Sequence, residues 1–164
     1  AQGKTNLLES IYVSSHGKSY RTSKDLELIK FGEDFLSIDI NMEKADREEN
    51  IKININNMKE KVIQINNIKI KKLSELVGYI KVVTFKPEDL LLIKEGPQNR
   101  RKYLDTEISQ MDTYYLKVLQ KYNRALLQKN NYLKNNREIN IDELSIWNNQ
   151  LATYGREIIK IRRK

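Results

Sequence analysis

The sequence predicts a mixed α/β lobe with an antiparallel meander over residues 1–96, followed by a helical arm over residues 97–164. Three observations carry that expectation. The chain opens on AQGKTN, directly before an amphipathic stretch. A series of short segments then alternates isoleucine with polar residues, as half-buried strands do. Beyond residue 96, apolar residues recur instead at three- and four-residue spacing.

Thr5 to Ser15 reads as a first helix, with an apolar stripe of Leu7, Leu8, Ile11 and Tyr12 and a stop at Gly17. After the polar stretch HGKSYRTSKD, FLSIDI (35–40), IKINI (51–55), VIQI (62–65) and IKIKK (68–72) read as strands of a meander. The charged EKADREEN between the first two is expected as a solvated loop. Asn66-Asn67 suits a two-residue hairpin turn, because asparagine tolerates positive φ. IKVVTF (80–85) reads as a further strand that Lys86-Pro87 breaks, and PEDLLLIKEGP as a short helix with Pro87, Glu88 and Asp89 at its start.

The arm is expected as two helices folding back on each other. Leu104, Ile108, Met111, Tyr115, Leu119, Tyr122, Leu126 and Leu133 mark one seam; Leu144, Trp147, Leu151, Tyr154, Ile158 and Ile161 mark the other. Asn140 and Glu143 form a candidate capping box between them. Tyr114, Tyr115, Tyr122 and Trp147 are able to stack on bases, but their seam spacing favours the core.

Composition narrows the chemistry. The absence of cysteine excludes disulfides, thiolate catalysis and Cys-type zinc sites, and the single His16 argues against a histidine metal site. No apolar run approaches the roughly 20 residues of a membrane span, and no signal peptide is visible, so a soluble cytoplasmic protein is expected. Of the net charge of +8, residues 1–96 contribute +1 and residues 97–164 contribute +7. A polyanion such as a nucleic acid is therefore the expected partner of the arm. A Lys- and Asn-rich coding bias is the competing account of those lysines.

Gly3-Lys4-Thr5 supplies the last three positions of the phosphate-loop pattern G-x-x-x-x-G-K-[ST]. In such a loop the glycine lets backbone amides approach phosphate, the lysine reaches the outer phosphates and the threonine hydroxyl coordinates Mg²⁺. The leading glycine, its strand and a starting methionine are missing, so a piece of a longer protein is expected. A chance match is the alternative, and the amphipathic helix behind the motif favours the loop. Arg21 in SYRTS is either aimed at a phosphate or DNA or simply solvated. Arg100, Arg101 and Lys102 sit near an expected helix start, where cations oppose the dipole; they either meet an anion or are offset by Asp105 and Glu107.

AQGKTNLLESIY, SYRTSKDLELIKFG, VVTFKPEDLLLIKEGPQNRRKYLD and YLKVLQKYNRALLQKN, in that order, resemble the RecF family of bacterial recombination-repair proteins. The resemblance runs from residue 1 to about residue 160 and implies an α/β fold: part of a P-loop NTPase lobe of the ABC type, related to SMC heads, plus a helical arm of a second lobe. It implies ATP and Mg²⁺ as cofactors, held here by Gln2, Gly3, Lys4, Thr5 and Asn6, with Thr5 on the metal. It also implies an ATP-dependent homodimer that acts as a clamp on duplex and gapped DNA, hydrolyses ATP slowly, and works with RecO, RecR and RecA. Arg21 lies in the family's SxRT stretch, near a functional arginine of related heads. The Walker B acid, signature motif and D-loop have no match here, nor is a Q-loop glutamine unambiguous. This stretch alone is therefore expected to bind ATP weakly or not at all, and to be inactive. Two other classes stay open from the residues: a P-loop kinase for a small molecule, and an SMC-like structural arm.

Overall fold

The computed structural model describes residues 3–44, 46–85, 96–136 and 138–163. The chain divides into two compact units, Ala1–Phe85 and Lys86–Lys164. Gln2, Glu88, Asp89 and the PEDL helix expected from residue 87 lie outside the described residues. Among the described residues no helix is long and apolar enough to cross a membrane.

The first unit opens with helix α1, Lys4–His16, set between two glycines in the left-handed region: Gly3 at φ 103° and Gly17 at φ 66°. Gly17 is fixed twice over. Its amide donates to Val13 O at 2.7 Å, ending the helix, and a Cβ there would fall 2.0 Å from Leu73 Cδ1. Lys61 Nζ binds the Gly17 carbonyl at 2.6 Å and Asp25 Oδ1 at 2.8 Å, tying the helix end to a 3₁₀ turn, Asp25–Leu28. The face α1 buries is not the expected stripe. Val13, Ser14, Ser15 and Glu9 are buried, while Leu7, Leu8 and Ile11 stay exposed. At 100° per residue the stripe lies across the helix from the Glu9–Val13 face, and the buried Ser14 and Ser15 hydroxyls bond back to the Ser10 and Tyr12 carbonyls of the same helix.

Strands β1 (Phe35–Lys44), β2 (Arg47–Asn56), β3 (Lys61–Ile65) and β4 (Ile68–Lys69) form one antiparallel sheet in sequence order, the expected meander. Register places Ile38 opposite Ile53 and Ile53 opposite Ile63, so one face is isoleucine. Ile38, Ile51, Ile53, Ile55 and Ile63 close a core with Val13 and Leu76. The other face carries rows such as Asp39, Lys52, Gln64 and Lys69. Asn66 and Asn67 both take positive φ, 49° and 64°, as a primed two-residue turn requires.

Two strand expectations need correcting. EKADREEN is not a solvated loop: the β1–β2 ladder continues to Lys44 opposite Arg47, with Asp46 at φ 62° in the tight turn. Backbone pairing carries a hairpin past the apolar core, so charged side chains there do not mark its end. IKVVTF is not a strand in this structure. Ile80 makes an isolated bridge to Val77, residues 81–85 take no regular strand conformation, and Val83 and Phe85 are exposed. β-propensity reflects packing on a sheet more than an intrinsic backbone preference, so composition alone does not make a strand.

The second unit has three described helices, not two: α2 (Pro97–Met111), α3 (Thr113–Asn135) and α4 (Ile141–Arg162). The break is Asp112. Its backbone is extended (φ −134°, ψ 104°), and its side chain accepts from Tyr114 N at 2.8 Å and Tyr115 N at 3.2 Å, starting α3 afresh. Asn140 caps α4 by accepting from Asp142 N and Glu143 N, but the capping box is only half formed. Asn140 N donates to Tyr132 Oη at 2.9 Å instead of to Glu143. The core gathers Tyr115, Val118 and Ile158 with Ile108, Leu119, Tyr122, Tyr154 and Ile161 around them; of the expected seam, Leu104, Met111, Leu126 and Leu133 are exposed, and Val118 lies outside it. Trp147 packs on Tyr132, ring centroids 4.9 Å apart, whereas Tyr114 is exposed.

Candidate functional site

In the first unit the site is built on the start of α1. Gly3 has open space around it, so its glycine is demanded by the φ of 103° and not by crowding. Lys4, Thr5 and Asn6 form the first turn, all exposed, with no acidic residue in that turn and no side-chain cap on its amides. The first amides of a helix have no partner within it and carry the positive end of its dipole. This turn therefore presents uncapped donors, a lysine and a hydroxyl to one small region.

The SYRT loop is fastened to the same helix by Glu9, which the sequence reading passed over. Glu9 Oε2 accepts from Arg21 Nη1 at 3.0 Å, and its other oxygen accepts from the Ser19 hydroxyl. Ser19 Oγ in turn accepts from Arg21 N at 2.9 Å and Thr22 N at 3.3 Å. The Glu9 side chain is 10% exposed and that of Arg21 52%, so the carboxylate is the buried anchor and the guanidinium the reachable partner. Five residues separate Lys4 from Glu9, a rise of about 7.5 Å along the helix. Arg21 is thus not simply a solvated loop residue. Below it lies an open cleft of about 720 Å³ whose walls include Asn6, Glu9, Arg21, Thr22 and Ser37. At its rim Glu27 accepts from Thr22 Oγ1 and sits 3.2 Å from Lys24 Nζ; those two partners lower its pKa. A lone glutamate in the apolar stretch NLLESIY was the available signal for Glu9.

In the second unit Arg100, Arg101 and Lys102 all fall in the first turns of α2 and are exposed. Asp105, one of the acids offered to offset them, is engaged elsewhere. It pairs with Arg162 and accepts from the Tyr115 hydroxyl, while Arg162 Nε donates to Tyr115 Oη at 2.9 Å. This triad joins all three helices. Burial and the bond to Asp105 push the Tyr115 hydroxyl up to about 12, against the opposing influence of Arg162. Burial works to lower Arg162, but its bonds to Asp105 and Tyr115 outweigh that, and its pKa is raised. Fifty-seven residues separate Asp105 from Arg162, and no local pattern announces the pair. Among the described residues no group of three His, Cys, Asp or Glu is placed to hold a metal by itself.

No family model matches the chain. Its whole length is 47% identical to the DNA replication and repair protein RecF of Agathobacter rectalis and 48% identical to that of Clostridium acetobutylicum. It spans 46% and 45% of those relatives, a little under half. Two solved structures are similar over 99% of the chain: the recombination mediator protein RecF-ATP of the RecFOR pathway (TM-score 0.90, 42% identity) and RecF-ATPrS (TM-score 0.89, 41% identity). The chain covers 44% and 45% of those molecules. With α1 and its glycine-lysine-threonine start, the meander and the helical unit all matched at this level, the chain belongs to the RecF family.

Proposed function

We propose that the chain is the part of an ATP-dependent DNA-binding protein of recombinational repair that grips nucleotide phosphates at α1 and bears DNA on its helical arm. The observation that carries this is the start of α1: a left-handed Gly3, then Lys4 and Thr5 in a first turn with no acid and no cap. The similarity to RecF-ATP supports adenosine triphosphate as the nucleotide. Lys4 and the first amides would hold the phosphates, with Gln2 and Asn6 flanking them. Mg²⁺ would be held by Thr5 Oγ1 together with phosphate oxygens, consistent with that exposed hydroxyl and with the habit of this ion of sharing its shell with substrate. Bound there, the ion supplies charge neutralisation for the phosphates.

Glu9 would hold the SYRT loop against α1, so that Arg21 stays within reach of what α1 binds. The working arrangement would be two copies joined by ATP into a clamp, on duplex or gapped DNA in the cytoplasm. Slow ATP turnover would reset it, and RecO, RecR and RecA would be its pathway partners. In this reading the nucleotide lobe would end at residue 96 and the arm would begin at residue 97. This stretch alone would bind ATP poorly and not turn it over, since the Walker B, signature and D-loop elements have no match in it.

The test is duplex-DNA binding by the full-length protein with and without ATP, beside Lys4→Ala. ATP is expected to tighten binding and the substitution to remove that gain. Binding that ignores both ATP and Lys4 would overturn the proposal.

A further inference from the structure

Helix α3 differs from its neighbours in one respect: it contains no acid. From Thr113 to Asn135 there are five cations, Lys117, Lys121, Arg124, Lys129 and Lys134, and no Asp or Glu. Helix α2 holds Asp105 and Glu107, and α4 holds Asp142, Glu143 and Glu157.

The cations are also placed. Tyr115, Val118 and Ala125 are the buried residues of α3 and define its inner side. At 3.6 residues per turn, Lys117, Lys121, Arg124 and Gln128 fall within about 60° of one another on a flank roughly 100° round from that side, and Lys121 Nζ lies 5.9 Å from the ring centroid of Tyr154 on α4. All four are exposed, as is Asn131 further along. Among the described residues of this unit the ion pair is Arg162 with Asp105, and it draws no cation from α3. Lys129, off the stripe, is bound by Asn148 Oδ1 at 2.7 Å.

We infer that this exposed flank of α3 is a track for the sugar-phosphate backbone of duplex DNA, an assignment that rests on the DNA-binding reading above and locates it. Successive members rise by about 6, 4.5 and 6 Å, covering roughly 16 Å of helix. A row of single-signed charges at that spacing suits a polyanion better than a mixed protein surface. The side chains beyond the cations are Gln128, Asn131 and Asn135, which hydrogen-bond phosphate and sugar oxygens, and the exposed Tyr114 heads the stripe with a ring whose stacking tolerates any base. Binding through it is therefore independent of base sequence. The candidate residues near the α2 start, Arg100 to Lys102, would then be a second set of contacts and not the main one.

The test uses the full-length protein and a duplex of arbitrary sequence over a salt series. The variant is Lys117→Gln, Lys121→Gln and Arg124→Gln together; the control, Lys69→Gln, Lys71→Gln and Lys81→Gln, removes the same charge from exposed lysines of the first unit. Three lost phosphate contacts lower the slope of log K against log salt by about 2.7, which is about 100-fold in affinity at roughly 0.15 M salt. That loss in the α3 variant, with the control near wild type and both showing native circular dichroism, supports the track. Equal small losses in both, or a slope unchanged by the α3 substitutions while the parent protein binds DNA, overturn it and leave the DNA-binding reading standing. A parent protein that binds no duplex overturns both.

Discussion

Replacing Gly17 with alanine tests how the end of α1 is locked to the rest of its unit. Two costs add. The residue sits at φ 66°, and holding an L-residue with a Cβ there costs about 1–2 kcal/mol. The new Cβ would also lie 2.0 Å from Leu73 Cδ1, with Leu73 Cγ at 3.2 Å and the buried Leu76 Cδ2 at 3.3 Å closing the sides. Leu73 has a movable end, so the clash is relieved at the expense of its packing, by about 1–2 kcal/mol. The total, about 2–4 kcal/mol, is a large share of the roughly 5–15 kcal/mol that holds a domain. Urea unfolding followed by circular dichroism should show it as a midpoint lowered by about 1–2 M. Gly32→Ala is the control, because Gly32 has φ 87° but nothing within 4 Å of its Cβ, and it should lose only the conformational part. Adding Leu73→Ala to Gly17→Ala should recover about 1–2 kcal/mol relative to additivity. If Gly17→Ala is no worse than Gly32→Ala, or the pair is additive, the packing account of this junction is wrong.

Tyr115→Phe removes the hydroxyl shared by Asp105 and Arg162 and should cost about 1–2 kcal/mol in the same assay. The folded hydroxyl stays protonated to about 12 while the unfolded one ionises near 10. Wild-type stability should therefore be full below pH 10 and fall as pH rises toward 12, and the phenylalanine variant should lack that fall. Alanine at both Asn66 and Asn67 should cost about 1–3 kcal/mol by forcing two residues into positive φ, whereas Asn67→Gly should be neutral or stabilising; thermal melts of the three proteins decide. Glu9→Gln should release Arg21 and raise amide hydrogen exchange at Arg21 and Thr22 several-fold, without changing exchange in β2.

Where the sequence spoke locally, it was reliable. Alternating isoleucines specify a face, and Asn66-Asn67 specifies a turn, because both signals act over a few residues. Asp112 was legible in principle as a cap, yet the apolar rhythm on either side continued and hid the break between α2 and α3. The charged arms of the β1–β2 hairpin were illegible for a different reason: the backbone ladder that holds them is blind to side-chain polarity. IKVVTF shows the converse, a strand-like composition that takes no place in the sheet.

Orientation was harder still. Leu7, Leu8 and Ile11 marked α1 as a helix but pointed away from the face it packs, since periodicity fixes a stripe and not what the stripe meets. At the candidate site, Gly3, Lys4 and Thr5 were visible because backbone chemistry ties those residue types to that spacing. Glu9 with Arg21, and Asp105 with Arg162, are tertiary pairs that only folding brings together. The basic stripe of α3 lay between the two: its lack of acids is plain in the letters, but its common side appears only when the buried residues fix the helix's rotation.

The size of β4 has a consequence for how molecules of this kind behave in company. A sheet margin is a row of unpaired amides and carbonyls that invites another chain to add on, the first step of fibril growth. Here the meander tapers to a strand of two residues, Ile68–Lys69, with Lys71 and Lys72 following after Ile70. So short a margin offers an incoming chain almost no ladder to continue, and three lysines repel a like copy that tries. Aggregation is thus opposed on that side by geometry and charge together, even though Ile68 itself faces water.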